Sequence, residues 1–180
     1  MGWFDKKVPP IPPETPKTAP TAGKPAKGLK VSPLLSEEVV LLPGDGMDKN
    51  AVLDRLAAAV CRKAGLPDHL PYLGKVLERE GGISTTLDTG LSLPHARLDG
   101  IPGIMAGLAV LKKPVPDPKQ TDLSIRVMFL FFSPNRPDAF PLHLQLLRGV
   151  SSLFQPAAID QLTAAPTPAA VLELVRKLEA

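Results

Sequence analysis

Three histidines, His69, His95 and His143, and one cysteine, Cys61, are the side chains best suited to nucleophilic or metal chemistry in these 180 residues. The histidines are too far apart to form a short metal-ligand pair, and one cysteine excludes both an intrachain disulfide and a cysteine-rich zinc site, so neither metal nor cofactor is expected. No phosphate-cradling Gly-rich loop ends in Lys-Ser/Thr, and no dinucleotide fingerprint, His-Glu-x-x-His or Gly-x-Ser-x-Gly occurs. Imidazole alone still carries chemistry. Its unperturbed pKa of about 6.5 leaves a neutral, nucleophilic ring nitrogen near pH 7, able to accept a phosphoryl group and pass it on without a metal.

The elements around these side chains follow from pattern and punctuation. Residues 36–42 read as a first strand, stopped by the turn cluster Pro43-Gly44-Asp45-Gly46. Asp48 is a candidate N-cap for a helix over residues 48–64, where Val52, Leu53, Leu56, Val60 and Ala64 recur at helical spacing before Gly65 and Pro67. Cys61 lies beside that stripe and reads as a packing residue. A second helix is expected over residues 71–80, closed by Gly81-Gly82. Leu91-Ser92-Leu93 reads as a short strand delivering Pro94-His95 to its C-terminal end, with His95 in a shallow exposed depression where a protein partner can reach it. Residues 104–111 and 123–132 are two more strands, the latter apolar on both faces apart from Arg126, hence central and covered on both sides. Leu142, Leu146, Val150 and Leu153 space another helix, and a terminal one starts near Pro168. His69, between Pro67 and Pro71, reads as surface loop. Four strands interleaved with helices give an α/β layered domain with a mixed β-sheet flanked by helices.

The residues around His95 add a family resemblance. Arg79-Glu80, Ser84-Thr85 and Thr89-Gly90-Leu91-Ser92-Leu93-Pro94-His95-Ala96, followed by His143-Leu144 on a later helix, resemble the enzyme IIA domains of the fructose/mannitol type in the bacterial sugar phosphotransferase system, a family that includes the nitrogen-regulatory enzyme IIA proteins. The resemblance runs from about Leu34 to the C-terminus and implies the phosphotransferase/anion-transport-protein type of fold. It also implies a soluble phosphohistidine carrier, and the single cysteine makes a reducing, cytoplasmic compartment the simplest expectation. His95 would accept a phosphoryl group on Nε2 from an HPr-type phosphocarrier and pass it to an enzyme IIB or use it for regulation. Arg79 would neutralise the phosphoryl oxygens, its planar fork binding two at once, and His143 would support the group without being phosphorylated. Thr85, Ser92 and Arg97 are the further candidates for phosphoryl-binding support. Ser92 stands where the family usually has alanine, and Thr89 where some mannitol-type members have glutamate. A regulatory module whose partner choice follows the phosphorylation state of His95 is the alternative. A non-catalytic domain on the shared fold is not expected to keep Pro94-His95 together with Arg79.

Composition places limits on the partners. The hydrophobic fraction of 44% and charged fraction of 22% exclude wholesale disorder. The net charge of +3 points toward nucleic acid only until it is located, because residues 1–33 carry +4 and the rest of the chain −1. Eight of the 22 prolines also fall in residues 1–33, a composition that favours polyproline II and buries no core. That segment is expected to be a disordered tail, with a domain over residues 34–180. No nucleic-acid partner is expected, and no membrane insertion, since the longest apolar run is far short of the roughly 20 residues a spanning helix needs.

Overall fold

The computed structural model describes residues 29–180. Ten regular elements follow one another: β1 (Val40–Leu41), α1 (Lys49–Lys63), α2 (Leu70–Glu80), β2 (Leu91–Ser92), β3 (His95–Leu98), β4 (Met105–Pro116), β5 (Ser124–Pro134), α3 (Phe140–Leu153), α4 (Pro156–Ala164) and α5 (Pro168–Leu178). The sheet runs β1-β4-β5-β2, with β3 also paired to β5. β4 and β5 are antiparallel, and β1, β2 and β3 each run parallel to their neighbour, so the sheet is mixed.

β5 is the organising strand. Residues 127–132 are all fully buried, and because successive side chains point to opposite faces, the sheet is covered on both sides there. α1 starts where Asp48 Oδ1 accepts the Ala51 N–H at 2.8 Å. It stops where Gly65, at φ +72°, lets the Leu66 N–H turn back to the Cys61 carbonyl. Between these ends it lies tight against β4: a Cβ on Gly107 would sit 2.6 Å from Val60 Cγ2 and 2.9 Å from Leu56 Cδ1.

Several boundaries differ from the sequence expectation. The first strand shrinks to two residues, because residues 37–39 form a 3-10 turn with Glu37 and Glu38 exposed. β4 runs on through Lys112-Lys113-Pro114 to a hairpin with β5, its register shifting between Val110 and Val115. β3 and α4 are elements the sequence did not announce, making five strands instead of four. The expected tail over residues 1–33 also ends too late. Val31 is buried in the core, and its N–H and that of Ser32 donate to the Glu179 carboxylate, tying this end of the chain to the end of α5. Residues 1–28 of that expectation lie outside the described residues.

Candidate functional site

β2 and β3 lie along β5 in one continuous register, Leu91 against Val127 and His95 against Phe131. Pro94 has no N–H for the ladder, which is why one edge strand is split in two. On its outer side, residues 85–87 fold back against β2: Leu87 N–H donates to the Leu91 carbonyl and Leu93 N–H to the Thr85 carbonyl. Gly90, at φ +91°, makes that reversal possible, with the Arg126 side chain packed over it. No backbone N–H among the described residues takes the Leu93 carbonyl. The imidazole two residues on takes it instead, with His95 Nδ1 at 2.7 Å. A carbonyl only accepts, so Nδ1 carries the proton and Nε2 keeps its lone pair.

His95 is 9% exposed, so the expectation of an exposed histidine is corrected: the ring is sunk in the floor of an open depression of about 560 Å³. It starts β3 instead of ending a strand. Phe131 stacks beneath it, ring centres 5.3 Å apart, and His143 meets it edge-on, also at 5.3 Å. His143 Nδ1 lies 2.7 Å from Ser133 Oγ, and Phe140 stacks on its ring with centres 6.2 Å apart. Arg97 places its guanidinium 4.8 Å over Phe140, donates to the Arg136 carbonyl, and leaves a buried Nε with no partner. Arg79, in the last turn of α2, lines the opposite wall with Lys75 and Glu78, and its Nη1 donates to the Ile83 carbonyl.

Three cations and one acid line the depression with the two imidazoles, so its net positive charge favours an anion. Both rings are neutral at pH 7. Burial lowers the His95 pKa, the Leu93 hydrogen bond opposes that, and the Arg79 charge lowers it again. Burial, helped by His95 and Arg97, pulls His143 down to about 4. A neutral imidazole with its Nε2 lone pair free in a cationic depression is equipped to attack the phosphorus of a phosphoryl donor.

The structure thus gathers His95, Arg79, His143 and Arg97 around one depression, and it does not bring Ser92 or Thr85 there. Ser92 is fully buried, its hydroxyl 3.3 Å from Thr86 Oγ1. The Thr85 hydroxyl donates to Glu80. Both belong to a polar cluster inside the fold, built on Lys49, whose Nζ lies 2.8 Å from Glu80 and 2.9 Å from Asp117. That cluster anchors the end of α2, and so the base of Arg79, to the β4–β5 connection. Ser133, Phe131 and Phe140 went unnoticed in the sequence; a hydroxyl closing the apolar run of β5 was the available signal for Ser133. Cys61 is buried and its thiol pushed up to about 11 by burial, in keeping with a packing role. His69 stands at the N-cap position of α2 without a side-chain capping bond, its Nε2 instead 2.8 Å from Asp54 Oδ1. No group of three potential metal ligands occurs among the described residues, and no helix there is long and apolar enough to cross a membrane.

Comparison with known proteins agrees with this architecture. Residues 33–178 match the family model described as phosphoenolpyruvate-dependent sugar phosphotransferase system, EIIA 2. A nitrogen regulatory protein from Pseudomonas aeruginosa is 28% identical over 145 residues, spanning 77% of this chain and 93% of that protein. Among solved structures, the nitrogen regulatory protein IIA-Ntr from Neisseria meningitidis superposes with a TM-score of 0.70 at 19% identity, covering 81% of this chain and 98% of its own. The mannitol enzyme IIA from Escherichia coli, in complex with phosphorylated mannitol enzyme IIB, does so at 0.66 and 16% identity, covering 79% and 97%.

Proposed function

The chain belongs to the enzyme IIA type 2 family of the phosphoenolpyruvate-dependent sugar phosphotransferase system, and on that premise we propose that it is a phosphohistidine carrier whose acceptor atom is His95 Nε2. The observation that carries this is the 2.7 Å bond from His95 Nδ1 to the Leu93 carbonyl, which leaves Nε2 unprotonated beside Arg79 and Arg97. In the transfer, the Nε2 lone pair forms the new P–N bond as the donor's P–N bond breaks and the donor ring nitrogen leaves with that electron pair. No proton moves. The Nδ1–H stays on the Leu93 carbonyl, which stabilises the positive charge that the ring acquires. Arg79, Arg97 and Lys75 balance the charge spread over the phosphoryl oxygens, the largest contribution available in such chemistry.

The donor is an HPr-type phosphocarrier, and the downstream partner an enzyme IIB or a regulated target protein. A regulatory role is favoured by the Pseudomonas relative, which is named a nitrogen regulatory protein. Incubation with phosphoenolpyruvate, enzyme I and an HPr-type donor, followed by intact mass and peptide mapping, tests the proposal. One acid-labile phosphoryl group on His95 is expected. A chain that gains none, or gains it on His143, overturns it.

A further inference from the structure

Ser133 closes the apolar run of β5 and is 1% exposed. It pairs with Arg97 of β3, one pleat beyond the His95–Phe131 pair, which sets it on the same face as Phe131, toward the imidazoles. Its Oγ is 2.7 Å from His143 Nδ1, and no other hydrogen-bond partner for it occurs among the described residues. One proton sits between these two atoms. If Nδ1–H donated to Oγ, the hydroxyl proton would be buried with no acceptor. If Oγ–H donates to Nδ1, every proton has a partner and only an oxygen lone pair stays idle, which is the cheaper arrangement. The ring proton of His143 then resides on Nε2, the nitrogen without a protein partner, on a side chain that lines the depression 5.3 Å from the His95 ring.

We infer that Ser133 is a positioning residue: its hydroxyl donates to His143 Nδ1, holds the ring as the Nε2–H tautomer, and makes that N–H a donor to a phosphoryl oxygen on His95. The inference rests on the phosphocarrier reading of His95. No bond to phosphorus forms at His143. Because His143 is held down to about 4, its ring is neutral at working pH, and the tautomer decides whether it offers an acceptor-only oxygen a proton or a repelling lone pair.

Long-range ¹H–¹⁵N correlation on the full chain with labelled histidines reads the tautomer directly, without any phosphoryl donor. His143 is expected to show a pyridine-type Nδ1 and a pyrrole-type Nε2 at pH 7; a protonated Nδ1 overturns the inference. Ser133→Ala is expected to slow phosphoryl acceptance about tenfold, the low end of what removing the hydrogen-bond partner of a metal-bound histidine costs. Ser133→Thr, which keeps the hydroxyl, should recover most of that rate. Adding Ser133→Ala to His143→Gln should cost nothing further. Equal losses in the alanine and threonine variants, or an added loss in the double variant, would show that Ser133 merely packs. A chain with the Nε2–H tautomer that never accepts a phosphoryl group overturns the carrier reading and leaves the tautomer assignment standing.

Discussion

The His95 Nδ1 atom lies 2.7 Å from the carbonyl oxygen of Leu93, two residues earlier on the same edge strand. The contact depends on three local features acting together: Thr85 takes the Leu93 N–H, Pro94 interrupts the ladder, and the carbonyl at the outer edge is left for the ring. The backbone thereby chooses the tautomer of the His95 imidazole. Burial and the Arg79 charge then keep the ring neutral, so the same surroundings that would attract an anion also preserve the Nε2 lone pair.

This arrangement predicts that His95 titrates below the ordinary histidine value of about 6.5. Phosphoryl acceptance should hold its plateau as pH falls through 6.5 and decline only below it. Arg79→Gln removes a charge that lowers the pKa and should move the midpoint upward. The imidazole ¹H shifts across a pH series measure both; a midpoint at or above 6.5 in the unaltered chain contradicts the electrostatic account.

Substitution should separate the roles in the depression. His95→Ala is expected to abolish the acid-labile adduct. Arg79→Lys keeps the charge but loses the planar fork, slowing transfer by about ten- to a thousandfold while the fold and the final adduct survive. His143→Gln should cost less than Arg79→Lys, because the amide keeps the size and an N–H donor for the phosphoryl oxygen, whereas lysine loses the two-point fork. Rapid-quench transfer kinetics with far-ultraviolet circular dichroism as the folding control would show the order; a larger loss in the His143 variant would reverse it.

Periodicity and punctuation made α1, α2 and β5 legible, since Asp48, Gly65 and the apolar run through Phe132 act locally. The convergence of Arg79, His95 and His143 was legible through the family pattern they share. Ser92 was misplaced because it and His95 differ by an odd number of positions along one continuous edge strand, so they face opposite sides of the sheet. β3 was hidden because Pro94 reads as a stop, yet an edge strand can carry it. Nothing in the local pattern singled out Lys49 or Asp117 as partners of Glu80, because only the tertiary fold brings residues 31 and 68 positions apart into contact.

The close approach of α1 to β4 predicts a steric penalty at Gly107. Any Cβ there meets Val60, Leu56 and the Val39 carbonyl, and β4 is fixed by its neighbours on both sides, so the helix must move. Gly107→Ala should cost about 1–3 kcal/mol in urea unfolding, as overpacked cores do. A midpoint equal to that of the unaltered chain would mean that α1 yields without strain.

Acid should destabilise the fold in two stages. His143 falls from an ordinary 6.5 to about 4 on folding, so the unfolded chain binds the extra proton, and the stability this group confers is complete above about 6.5 and lost as pH falls toward 4. Asp117 adds the second stage. Burial alone would raise its pKa, but hydrogen bonds from Thr86, Lys49 and Ser84 outweigh that and hold the carboxyl well below the usual range. Its contribution is intact above the unfolded value of about 3.9 and is lost below it. Asp117→Asn should therefore cost about 3–5 kcal/mol at pH 7, since Lys49 keeps only Glu80 as a counter-charge, and should flatten the decline below pH 4. His143→Gln should lessen the decline between 6.5 and 4, to which His95 also contributes, and leave the lower limb unchanged. Urea unfolding at pH 7, 5 and 3.5 measures all three chains. An Asp117→Asn variant as stable at pH 7 as the unaltered chain, and equally acid-sensitive, would show that the buried cluster does not hold the end of α2 in place.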